Sequence, residues 1–219
     1  MTVVAIDGPV GSGKSTVARR TAERLGFVYL DTGAMYRAVG LLATEKGVPL
    51  DDEAAVSAVA ASADLRFDSD GRLFAEGRDV SQAIRTLEMG AAASHVSVLP
   101  EVRRLLVERQ RALAAGADIV MEGRDIGTNV FPDAAVKVFL TARPEVRAAR
   151  RAAELRAKGD PVADETVLAA VVERDRRDTE RTVAPLSCAA DAVEVDTSEM
   201  TLEEVVDAVV RVVREKVGA

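Results

Sequence analysis

Residues 8–15 read Gly8-Pro9-Val10-Gly11-Ser12-Gly13-Lys14-Ser15. This G-x-x-x-x-G-K-S spacing lies between the apolar run Val3-Val4-Ala5-Ile6 and a stretch with helical periodicity. The glycines let the chain curl until successive N–H groups point into one concavity, and a helix starting there aims its positive dipole end at the same point. Lys14 supplies a mobile positive charge for outer phosphates, and the Ser15 hydroxyl is placed to hold magnesium. Residues 8–16, from Gly8 to Thr16, are therefore the candidate ATP-binding loop. A strand–loop–helix opening of this kind commits the chain to an α/β fold.

The rest of the chain keeps that rhythm. Runs of β-formers at Val3–Asp7, Phe27–Asp31, Asp118–Glu122, Val136–Leu140 and Ala192–Asp196 alternate with helical patterns, which predicts a five-stranded parallel sheet with helices on both faces. Four of these runs end on or beside Asp or Glu. Helices are expected over Ser15–Leu25, Ala34–Lys46, Pro100–Ala115 and Leu202–Val217, the last turning Val205, Val209 and Val212 inward. Residues 63–84 break the pattern. Leu65-Arg66-Phe67, the turn Asp68-Ser69-Asp70-Gly71, Leu73-Phe74-Ala75 and Gly77-Arg78-Asp79-Val80 read as a small antiparallel β insertion. One domain over 1–219 with appendages fits the length.

Composition narrows the partners. A net charge of -7 argues against holding a nucleic-acid backbone, so any basic site is local. One cysteine, Cys188, and one histidine, His95, leave neither a disulfide nor a Cys/His metal cluster, and both residues read as packing residues. No run approaches the ~18 apolar residues of a membrane span, and the first strand begins too early for a signal peptide, so a cytoplasmic protein without membrane contact is expected; separately, a monomer is the expected state.

The phosphate loop alone leaves kinases, switches and motors open. The only asparagine, Asn129, precedes Val130, so the Asn-Lys-x-Asp guanine reader of switch GTPases is missing. Arginines carry the next step, because an acceptor that is itself a phosphate needs a second anion site. Arg37 follows the second predicted strand and Arg124 the third, both near the ligand edge. Arg147, Arg150 and Arg151 share one helix face, as do Arg174, Asp178 and Arg181. From spacing alone, either group could equally be a solvated surface of ion pairs.

Four segments together resemble bacterial cytidylate kinases: IDGPVGSGKST at Ile6–Thr16, LDTGAMYRA at Leu30–Ala38, EGRDIGTNVFPDA at Glu122–Ala134 and RDRRDTERTVAPL at Arg174–Leu186. The resemblance implies a P-loop nucleoside monophosphate kinase. Its β insertion would lie on the monophosphate side, with a short lid at 147–163 and Gly159, next to Asp160-Pro161, as a flexible point. It implies that Thr32, Arg37, Arg124 and Arg181 contact the acceptor phosphate beside Tyr36. Ser94, Arg103 and Asp125 would read cytosine, and Arg174 and Asp178 the ribose. Lys14, Arg124, Arg150, Arg151 and Arg181 would serve catalysis, with ATP as donor, Mg2+ as cofactor and CMP or dCMP as acceptor. Thr32 stands where many relatives carry serine. Other expectations stay open: a kinase for UMP, AMP or shikimate, or a nucleotide-dependent switch.

Overall fold

The computed structural model describes residues 1–68, 70–157, 159 and 161–218. Ser69 of the expected turn, and Lys158 and Asp160 of the expected lid, lie outside the described residues. Five parallel strands form the central sheet: β1 (Val3–Asp7), β2 (Val28–Asp31), β6 (Ile119–Glu122), β7 (Val136–Thr141) and β8 (Val193–Asp196), in the order β2-β6-β1-β7-β8. β1 is central and buried along its whole length, as expected of a parallel strand covered on both faces. Val4 and Ile6 pack with α1 (Lys14–Leu25) and α8 (Leu202–Val217) on one face, while Val3 and Ala5 pack toward α5 (Pro100–Ala114) on the other.

A small antiparallel sheet of β3 (Leu65–Phe67), β4 (Leu73–Ala75) and β5 (Arg78–Asp79) occupies the predicted insertion. Two helices around it escaped the pattern reading, α3 (Glu53–Ser62) and α4 (Leu87–Val96). Both are alanine-rich, so their buried faces contrast little with their exposed ones. Their start signals are nevertheless present: Asp52 caps Ala55 N–H at 3.0 Å and Thr86 caps Met89 N–H at 3.1 Å. α4 packs closely on α2 (Thr32–Glu45), and a Cβ on Gly40 would lie 2.8 Å from that of Ala92.

α6 (Pro144–Ala157) and α7 (Asp164–Glu180) pack on each other through Ala148, Ala152, Leu155, Val167 and Val171. In α8 the inward stripe is Val205, Val209 and Val213, flanked by Val206 and Val210. Val212 lies at its half-buried edge, because a true helical repeat drifts from the spacing read in sequence. No helix among the described residues is long and apolar enough to cross a membrane.

Candidate functional site

The phosphate loop joins β1 to α1 at the carboxyl edge of the sheet. Gly13 caps α1 in the left-handed region at φ 86°, where a side chain would be strained. Gly8 has no room for a side chain, since a Cβ there would lie 2.0 Å from the Leu140 carbonyl oxygen. Lys14, the first helical residue, is buried, and its Nζ donates to the Pro9 carbonyl at 2.7 Å. Burial and then the nearby Arg124 hold its pKa well below the ordinary lysine value, against the pull of Glu122 and Asp7.

Ser15 Oγ donates to Glu122 Oε2 at 3.0 Å, and the Tyr29 hydroxyl donates to Oε1 at 2.5 Å. Glu122 ends β6 and is buried. Burial, then the Asp31 carboxylate, raises its pKa. Tyr29 itself lies under the Arg19 guanidinium, 4.7 Å from ring centroid to Cζ. The loop is held from behind as well: Arg147 of α6 donates to the Val10 carbonyl at 3.0 Å and pairs with Asp175 of α7 at 2.6 Å. Thr16, in the first turn of α1, is exposed.

Facing elements bring in the arginines. At the end of β2, Asp31 accepts from Ala34 N–H at 2.9 Å as the cap of α2, and it pairs with Arg37 at 2.7 Å and Arg85 at 2.9 Å. Burial works to raise the Asp31 pKa, but Arg37 and Arg85 overcome it and hold it low. Arg124, just past β6, pairs with Asp178 of α7 at 2.9 Å. Asp125 pairs with Arg103 of α5 and, at 3.2 Å, with Arg181. The Arg103 guanidinium also lies 5.7 Å from the Tyr36 ring centroid.

Arg174 is pushed down to about 10 by burial and then by Arg124, with Arg37 and Arg151 adding to the effect. The Nε atoms of Arg37, Arg103 and Arg174 are buried and find no hydrogen-bond partner among the described residues. Thr32 is buried on the same edge and donates from Oγ1 to the Glu122 carbonyl at 2.7 Å. Ser94, Ser97, Asp178 and Arg181 line a cleft of about 290 Å³ between the ends of α4 and α7.

The structure therefore gathers Lys14, Ser15, Thr32, Tyr36, Arg37, Ser94, Arg103, Arg124, Asp125, Arg174, Asp178 and Arg181 along one edge. Four sequence readings change. Asp178 does not form a surface pair with Arg174; it is buried and bonded to Arg124. Arg181 is not on the helix face but on the extended residue after it, from which its side chain turns back to Asp125. Arg150 stands apart, donating to Thr197 Oγ1 at 2.9 Å and to the Thr197 carbonyl at 2.6 Å. His95 and Cys188 are exposed rather than packed. Arg151 bonds Glu154 at 3.0 Å while its charge reaches Arg174.

Spacing did not single out Glu122, Tyr29, Arg85 or Asp7. Glu122 and Asp7 had a usable signal, an acid at the carboxyl end of a central strand. Asp7 accepts from the N–H groups of Ile126 at 2.9 Å and Gly127 at 2.7 Å, and burial raises its pKa to about 6.

Residues 4–215 match the family model described as Cytidylate kinase. A cytidylate kinase of Pelotomaculum thermopropionicum is 52% identical over 211 residues, covering 94% of this chain and 93% of that one. One from Geobacter sp. (strain M21) is 47% identical over 219 residues, covering 99% and 94%. A bifunctional pantoate ligase/cytidylate kinase of Synechococcus sp. is also 47% identical over 219 residues, matching 97% of this chain and 40% of its own length.

Proposed function

The chain belongs to the cytidylate kinase family, and from that premise we propose that the loop at Gly8–Thr16 holds ATP while the arginine edge holds CMP or dCMP. The γ-phosphoryl group then passes to the α-phosphate of the acceptor, giving ADP and CDP or dCDP. One observation carries this assignment of sides: Lys14 and Arg174 are buried close enough to Arg124 that its charge adds to burial in lowering both, with Arg37 and Arg151 also acting on Arg174, and the Nε atoms of Arg37, Arg103 and Arg174 are buried without a partner among the described residues. Positive groups packed this way are stabilised by an anion between them.

The reaction asks little covalent chemistry of the protein. Two polyanions must be brought in line and the charge spreading over the transferred group neutralised, which is positioning and electrostatics. Lys14 and the loop amides serve the donor. Arg37, Arg124 and Arg181 hold the acceptor phosphate beside Thr32 and Tyr36. Arg151 on α6 approaches the transferred group, and Arg150 joins it when α6 releases Thr197. The attacking oxygen belongs to an ionised phosphate, so no general base is needed. Asp125, Arg103 and Ser94 meet the cytosine edge, where the exocyclic amino group is a donor and O2 and N3 are acceptors. Arg174 and Asp178 meet the ribose.

The Ser15 hydroxyl and Glu122 carboxylate, 3.0 Å apart, are oxygen donors of the kind that suit magnesium, a hard cation that keeps several waters. Bound with ATP, it supplies charge neutralisation at the outer phosphates.

Steady-state assays with ATP and each of CMP, dCMP, UMP and AMP test the reading. CMP and dCMP are expected to exceed AMP by well over an order of magnitude in kcat/KM, and Asp125→Ala is expected to weaken CMP far more than ATP. Equal turnover of CMP and AMP contradicts it.

A further inference from the structure

Asp125 is buried, and its carboxylate takes donors from three directions. Arg103 and the side-chain amide of Asn129 both donate to Oδ2, Asn129 at 3.1 Å, while Arg181 donates to Oδ1 at 3.2 Å. A carboxylate offers about four lone-pair sites. Oδ2 is filled, and the one acceptor site left is on Oδ1.

Each donor is itself fixed. Arg103 also donates to the Ser97 carbonyl at 3.2 Å and Arg181 to that of Ala184 at 2.7 Å. Asn129 lies in a π-helical turn, Ile126–Val130, a conformation concentrated at functional sites. That turn is clamped from both ends. Asp7 takes the Ile126 and Gly127 N–H groups, and Arg111 donates to the carbonyls of Asn129 at 2.9 Å and Val130 at 2.8 Å. The amide therefore meets Asp125 from a rigid base.

We propose that Asn129 is a specificity-determining residue for the pyrimidine base: by filling Oδ2 it leaves Asp125 one acceptor, on Oδ1, which admits a ring bearing an exocyclic amino donor and refuses one bearing a carbonyl there. The inference rests on the reading that Asp125 meets the base edge. Cytosine donates at that position. Uracil sets an acceptor against the carboxylate oxygen, and the two repel. Without Asn129 the carboxylate regains a free acceptor site on Oδ2 and is oriented by Arg103 and Arg181 alone, so its single-acceptor presentation is lost. Arg103 and Arg181 already supply the counter-charges, so what the neutral amide adds is the presentation of the Asp125 carboxylate to the base.

The test measures kcat and KM for CMP, UMP and ATP, with thermal unfolding, in Asn129→Leu, Asn129→Asp and Asp125→Ala. A hydrogen bond to a charged group is worth about tenfold. Asn129→Leu is therefore expected to raise the KM for CMP and to lower the CMP-to-UMP ratio of kcat/KM by roughly that factor, leaving the KM for ATP within about twofold. Asn129→Asp, which cannot donate and places a like charge against Asp125, is expected to do more.

An unchanged CMP-to-UMP ratio in Asn129→Leu, with that ratio collapsing in Asp125→Ala, overturns the role of Asn129 and leaves the Asp125 reading standing. A ratio untouched in Asp125→Ala overturns the reading and the inference with it. Parallel losses for CMP and ATP with a lowered Tm in Asn129→Leu show a structural residue instead, which also overturns the proposal.

Discussion

The two halves of the site are built by opposite means. On the donor side, eight consecutive residues make a cradle largely from backbone, with Gly8 and Gly13 giving the curl and Lys14 the charge. On the acceptor side the groups are side chains drawn from α2, α4, α5, the turn after β6, α7 and the residue after α7, and Arg37, Arg103, Arg124 and Arg181 among them are held by Asp31, Asp125 or Asp178. A backbone cradle depends on conformation and tolerates side-chain change outside its glycines. A side-chain cradle depends on long-range packing, and removing one anchor releases a charge.

The largest expected effect separates the two halves by kinetic signature. Lys14→Ala is expected to lower kcat by roughly 10²–10³-fold, the usual cost of one transition-state donor, with the KM for CMP little changed. Arg124→Ala is expected to lower kcat comparably and to raise the KM for CMP as well, because it touches the acceptor in ground and transition states alike. Identical signatures for both variants would erase the distinction between the sides.

Asp7 lies where the halves meet, ending β1 before the loop and clamping the turn that follows Asp125. Its carboxyl is raised from 3.8 to about 6 by burial, so the folded state binds a proton more tightly than the unfolded one. The resulting stabilisation is complete below about pH 4 and is lost as pH rises through 6. At ~1.4 kcal/mol per tenfold change in proton affinity it amounts to about 3 kcal/mol. Thermal unfolding from pH 4 to 7 is expected to show Asp7→Asn gaining stability relative to the natural chain by up to that amount. A difference independent of pH would place the titration elsewhere.

Tyr29→Phe sharpens the comparison with a smaller change. It removes one of two hydroxyl donors to Glu122 while keeping the ring under Arg19. The KM for ATP is expected to rise by about tenfold, the low end of the range for a bond to a charged group, with the KM for CMP unmoved. An equal rise for CMP would assign Glu122 to both halves.

The same contrast sets what could be read from the chain. The loop was legible because its eight residues are contiguous and each has a backbone or charge role. The five strands were legible because each is a short run rich in β-formers that ends in an acid or a turn. α3 and α4 were not, since alanine on both faces gives no periodicity. Spacing left Arg174, Asp178 and Arg181 open between a ligand face and an exposed Arg174–Asp178 pair, because spacing along one helix says nothing of Arg124 and Asp125, which arrive from the end of β6 to displace the local pairing. The family resemblance named most of these residues. It did not supply Tyr29, Arg85 or Asn129, whose roles come from contacts between residues 54 or more positions apart for the first two and from a π-helical turn for the third.

The central claim is that two anion sites of different construction adjoin closely enough for one phosphate to pass between them. Calorimetric titration with a single molecule that links adenosine to cytidine through five phosphates addresses it directly. It is expected to bind at least about a hundredfold more tightly than ATP or CMP alone, because the second site is engaged at high effective concentration, and to lose that advantage in Arg124→Ala. Binding no tighter than ATP alone would contradict the account.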